Sequence, residues 1–116
     1  MARFEQQCGT FENRLQNEAK NDAELVKSYA AYEKFLDSDL NKAYRKVLAH
    51  LTDKNRFGLV ASQKAWLKYR DVEYQFLDSN WTSANFGSSS TLTRHASKRL
   101  LVKQRAFALL TYAENY

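Results

Sequence analysis

At 116 residues, 44% apolar and 27% charged, the chain has ordinary globular composition and length for one modest core, which excludes a disordered polymer and a multidomain assembly. Its formal net charge is +5, from 18 Lys and Arg against 13 Asp and Glu, which favours acidic partners. There is no proline, and the only glycines are Gly9, Gly58 and Gly87, so the punctuation of short strands and tight hairpins is missing; an all-α domain spanning residues 1–116 is expected.

The first helix is expected over about Phe4 to Glu18, with Phe4, Phe11 and Leu15 on one face at spacings of seven and four. It is short and reads as the weakest element. The residues from Met1 to Cys8 hold no apolar signal core, and no apolar run approaches the roughly 18 residues of a membrane span. As written, the chain reads as cytoplasmic, or as periplasmic if a leader has been removed. Cys8 is the sole cysteine, which rules out an intramolecular disulfide and two-cysteine metal signatures, and it is read as a packed thiol.

Asn21 or Asp22 can cap the second helix, with Glu24 in its first turn where an acid suits the dipole. Leu25, Tyr29, Tyr32, Leu36, Leu40, Ala43, Val47 and Leu51 then step by three or four to Thr52. The stripe covers about 30 residues, or about 45 Å at 1.5 Å per residue, and makes this helix the spine.

Asp53 can cap a third helix running to about Ser79, with Leu59, Val60, Gln63, Trp66, Tyr69, Arg70, Glu73, Phe76 and Leu77 on a mixed face. So short a connection makes the second and third helices an antiparallel hairpin. Asp78 to Thr91, rich in Ser, Asn and Gly, reads as a loop. Ser89 or Ser90 then starts a last helix with Ala96, Leu100, Leu101, Gln104, Phe107 and Leu110 inward. The expected architecture is an antiparallel four-helix bundle with a short first helix.

Two spaced patterns stand out: Asp37-x-x-Leu40-Asn41-x-x-Tyr44, and Gln63-x-x-Trp66-x-x-Tyr69-Arg70-Asp71. Together with Gly87-Ser88 and a closing Arg105-x-x-x-Leu109, they resemble the LprI-type lysozyme inhibitor family over about Ser28 to Leu110. The resemblance implies a small helical bundle, usually exported or lipid-anchored, with lysozyme inhibition ascribed to some members. Such proteins usually carry cysteines at positions aligning approximately with Ser28, Tyr74 and Ser97, none of which is cysteine here.

Read physically, the shared residues suggest a buried polar lock. Arg70 offers a fork of donors, Asp37 can accept it across the hairpin, and Asn41 and Gln63 can satisfy what remains. Trp66 reads as core.

Catalytic patterns are missing from the sequence. His50 and His95 lie in different segments without a nucleophile or a helical metal partner, Asp71 and Glu73 point in different directions, and there is no phosphate-binding glycine loop. A non-catalytic binding protein is expected, without cofactor or metal.

Charge offers an alternative. The first 50 residues balance eight cations with eight acids, while the last helix carries Arg94, Lys98, Arg99, Lys103 and Arg105 against Glu114 alone. That stripe could meet nucleic acid or another anionic surface. The like charge of a basic lysozyme would be repelled, and Glu24, Glu33, Asp37 and Asp39 are the acids that could face one. Trp81 and Phe86, set among small polar neighbours, are candidates for gripping a protein partner, possible targets being lysozymes and other cell-wall hydrolases; the alternative is that both rings cap the bundle.

Overall fold

A computed structural model describes residues 1–18 and 22–116, together with their side chains except those at 17, 18 and 22. Asn21 and the Asp22 side chain, the expected caps of the second helix, lie outside this description. The described residues form α1 (Ala2–Asn13), a π-helical turn (Arg14–Glu18), α2 (Asp22–His50), α3 (Asp53–Asn80), the short α4 (Ser83–Phe86) and α5 (Ser90–Ala113), with no strand among them. The all-α bundle expected from the sequence is observed.

The α2 stripe behaves as its spacing dictates. Tyr29, Tyr32, Leu36, Leu40, Ala43 and Val47 are all buried, and α2 packs most intimately on α5. α5 contributes Val102, Ala106 and Leu109 to the shared core, where the small Ala43 and Ala106 let two backbones come close. α1 closes this core from outside with Phe4 and Cys8. Its Phe11 ring lies parallel to Tyr32 at 5.2 Å and stacks on Phe35 at the same distance.

Two residues, Leu51 and Thr52, reverse the chain between α2 and α3. Thr52 occupies the cap position expected for Asp53, which instead begins the first turn, where its charge still suits the helix dipole. α3 stands off from α2, leaving a groove between them, and makes its closer packing with α5. The two long helices set the longest dimension, 49 Å.

Two expectations are corrected. The segment from Asp78 to Thr91 is not a continuous loop: α3 runs through Asn80, and α4 follows, with the Thr82 hydroxyl accepting from the Asn85 amide at 3.2 Å. Gly87, at φ +81°, makes the left-handed turn that leads into α5, a conformation other residues adopt only with strain. The inward face of α5 is also different. Val102, Ala106, Leu109 and Ala113 are buried, whereas Ala96, Gln104 and Phe107 are exposed and Leu100 is 54% exposed. The run Leu100-Leu101-Val102 offers two apolar stripes, and close packing on α2 selects the one carrying alanines.

No helix of the described residues is long and apolar enough to cross a membrane.

Candidate functional site

α2 and α3 bring most of the patterned residues together, though not as a buried lock. Leu40 and Gln63 are buried, Tyr44, Trp66 and Arg70 are half-buried, and Asp37, Asn41, Tyr69 and Asp71 are exposed. Seven of these nine line an open groove of about 490 Å³ between the helices; Tyr69 and Asp71 do not.

The Asp37–Arg70 pair expected across the hairpin is not formed. Arg70 donates from Nε and Nη2 to its neighbour Asp71 at 3.2 and 3.1 Å. Its guanidinium also lies 5.7 Å from the ring centres of both Trp66 and Tyr74. An arginine fork held between two rings gains attraction from both and reaches its adjacent acid without crossing the groove. Asp37 is left at the rim, where partial desolvation of its carboxyl raises its pKa, the Arg70 charge opposes that rise and Glu33 adds to it.

Gln63 is likewise turned to another partner. Its Oε1 accepts from Arg105 Nε at 2.9 Å, so this motif residue joins α3 to α5 rather than to α2.

Beyond Asp37 and Arg70 the groove continues into a smaller pocket of about 350 Å³ where α2, α3 and α5 converge. Glu33 accepts from or pairs with His95 Nδ1 at 3.0 Å, and His95 stacks on Tyr29 at 4.5 Å. Lys98 lies 5.0 Å over Tyr74, whose phenol burial pushes up to about 12, with the Arg70 charge partly offsetting it. The pocket is polar, charged of both signs and aromatic, and nothing among the described residues forms a metal-binding cluster.

The basic stripe of α5 is occupied internally. Arg94 donates to the Trp81 carbonyl and to Thr91 Oγ1, and its Nε is 3.9 Å from Asp78. Lys98 pairs with the same Asp78 at 2.7 Å, and Lys103 with Glu12 at 2.8 Å. Arg99 lies over the rings of Tyr29 and Tyr32 at 4.8 and 5.6 Å. With Arg105 held by Gln63, the five cations tie α5 to its neighbours, an arrangement that gives the nucleic-acid reading of this stripe no support.

The aromatic end is more open. Trp81 stacks on Phe86 at 5.7 Å and meets Phe76 edge-on at 5.6 Å. Trp81 is half-buried, while Phe76 and Phe86 are about half exposed, at 51% and 53%. Phe76, on the mixed face of α3, extends this surface. Its place one turn before the end of α3, five residues before Trp81, is the signal that the two rings could meet. A shallow cleft of about 510 Å³ between α3 and α5 continues from them, lined also by Tyr69 and Leu100.

Comparison with known proteins adds one match: a family model described as lysozyme inhibitor LprI fits residues 13–109. No curated protein and no solved structure gives a significant match. That span takes in α2, α3, α4 and nearly all of α5, with both patterned helices at its centre, and the chain belongs to the LprI family of lysozyme inhibitors.

Proposed function

We propose that the protein is a non-catalytic inhibitor that binds a peptidoglycan-degrading enzyme through the aromatic end formed by Phe76, Trp81 and Phe86. The observation that carries this reading is the stacked Trp81–Phe86 pair, with Trp81 ending α3 and Phe86 on a short capped helix half open to solvent. Aromatic side chains with few rotatable bonds grip a partner at low entropic cost, and Trp is prominent among residues that dominate binding energy. The adjoining cleft supplies further apolar surface, and family membership supplies the class of target. The net charge of +5 favours a target that is not itself strongly basic, so a lytic enzyme of neutral or acidic character fits better than a basic lysozyme.

The test is inhibition and pull-down against a panel of lysozymes and lytic enzymes, repeated at high salt. Phe86→Ala touches an exposed ring and leaves the fold intact; it is expected to weaken binding by on the order of 2 kcal/mol, about thirtyfold. Trp81→Ala is expected to lose binding and some stability together, because Trp81 also joins α3 to α4. A folded Phe86→Ala protein that inhibits as well as the parent would remove this surface from the reading.

A further inference from the structure

The charge of the chain is concentrated at the end of the α2–α3 hairpin. Between residues 42 and 68 lie Lys42, Arg45, Lys46, Lys54, Arg56, Lys64 and Lys68, against the single acid Asp53, a local net charge of +6. The remaining 11 cations and 12 acids nearly cancel. All seven hairpin cations are exposed, and among the described residues none of them forms an ion pair, unlike Arg94, Lys98 and Lys103 of α5.

Their arrangement is not scattered. On α3, Lys54, Phe57, Lys64 and Lys68 recur at steps of three, seven and four, which puts them on one helix face. That face is opposite the one turning Trp66 and Leu77 toward α5. On α2, Lys42 and Arg45 lie away from the stripe of Leu40, Ala43 and Val47 that is buried, while Lys46 borders it. Lys42 and Arg45 on α2 and the Lys54, Lys64 and Lys68 face on α3 therefore turn away from the sides that pack on α5. In their midst the Phe57 ring is 79% exposed, and beside it a Cβ added at Gly58 would meet nothing within 4 Å.

Five of the seven cations are lysines. Lysine is depleted from protein–protein interfaces, where arginine and aromatic residues dominate. It is a compact, strongly hydrated point charge, suited to diffuse attraction to many phosphates rather than bidentate recognition of one. The α3 lysine face carries a single protruding ring, Phe57, rather than the series of stacking platforms that holds a nucleic-acid strand. It does match the two elements of interfacial membrane attachment, cations at headgroup level and an aromatic ring entering the acyl boundary.

We propose that the α2–α3 hairpin flank docks the protein on an anionic lipid surface, with Lys42, Arg45, Lys54, Lys64 and Lys68 over the headgroups and the Phe57 ring inserted between them. This rests on residues separate from the aromatic end and stands apart from the identity of the inhibited enzyme.

Co-sedimentation with vesicles of equal parts phosphatidylglycerol and phosphatidylcholine, against vesicles of phosphatidylcholine alone, tests it. The protein is expected to sediment with the anionic vesicles at low ionic strength and to be released near 1 M salt, where the screening length falls to about 3 Å. Each surface cation contributes roughly fivefold to partitioning, so Lys64→Glu/Lys68→Glu should reduce binding by at least roughly 25-fold. Phe57→Ala should reduce it by roughly fivefold without changing the salt dependence. The control Arg3→Glu/Lys27→Glu makes the same change in net charge at exposed positions on α1 and early α2. No sedimentation with anionic vesicles, or equal loss in the control, would overturn the proposal. Tighter binding of duplex DNA through the same lysines would reassign the flank to nucleic acid and also overturn it.

Discussion

Arg105 of α5 donates from Nε to the Oε1 of Gln63 on α3 at 2.9 Å, and its Nη2 reaches Ser62 Oγ at 3.4 Å. Gln63 is only 7% exposed, so its amide depends on this partner. The bond joins the middle of α3 to α5 at the point where α3 stands off from α2. Truncating Arg105 to Ala strands a buried acceptor and should cost about 1–2 kcal/mol in urea unfolding. Gln63→Leu combined with Arg105→Met removes both polar partners and should cost less than the two single losses added together. A double variant as unstable as that sum would show that the two residues act independently.

The ties at Arg70 lead to a different expectation. Its ion pair with Asp71 joins neighbours on one helix, and the acid is mostly exposed, so the pair itself contributes little. What remains is the attraction of the guanidinium for Trp66 and Tyr74, each about 0.5–1 kcal/mol at a partly exposed site. Arg70→Met should therefore cost about 1 kcal/mol, well short of the roughly 3 kcal/mol of a broken buried ion pair. Denaturant midpoints separate the two values cleanly.

Asp37 supplies a pH dependence. Partial desolvation at the groove rim raises its carboxyl above the ordinary 3.8, with Arg70 opposing and Glu33 reinforcing the shift. A raised carboxyl binds its proton more tightly in the folded state than in the unfolded one, so ionisation costs stability as pH rises from 3.8 through the folded value. Asp37→Asn should consequently be more stable than the parent at pH 7, and the advantage should shrink on acidification. Thermal midpoints measured between acid and neutral pH check both the sign and the window.

The fold was largely legible where one reading of the spacing had no competitor. The α2 stripe from Tyr29 to Val47 recurs without a second apolar face, and the structure buries it as spaced. The hairpin followed from a connection too short to do anything but reverse the chain. The face of α5 was not legible, because Leu100 and Leu101 are as apolar as Val102, and only the closeness of α2 and α5 favours alanines over leucines. The polar partners were not legible either. Arg70, Lys98 and Arg105 have long side chains, and which acid or amide each reaches depends on where α5 lies relative to α3, information that helical spacing does not contain. Seven of the nine patterned residues do meet around one groove, but as its walls.

The tyrosines report on the core from the alkaline side. Burial raises the phenol of Tyr74 to about 12 and those of Tyr29 and Tyr32 above their ordinary value of 10. Arg70 and Arg99 pull against burial at Tyr74 and Tyr29, whereas Cys8 and Glu12 reinforce it at Tyr32. A raised phenol favours its neutral form in the fold, so stability holds below pH 10 and is lost as pH rises toward the folded values. Phenolate absorbance should show these three rings ionising late and together with loss of helical signal. Tyr74→Phe should remove one late-titrating group while leaving the packing around Arg70 in place.

The two apolar stripes of α5 give opposite outcomes for the same chemical change. Leu109 is fully buried in the core shared by α1, α2 and α5, so Leu109→Ala opens a cavity and should cost about 2–5 kcal/mol, depending on how far α2 can relax into it. Leu100 is 54% exposed on the cleft between α3 and α5, and Leu100→Ala should cost less than about 1 kcal/mol. Because Leu100 borders the cleft beside Trp81, its truncation should instead weaken binding of an enzyme seated there, an effect read by the same inhibition assay as Phe86→Ala. Equal destabilisation by the two leucine variants would mean that α5 presents Leu100 to the core, contrary to its position here.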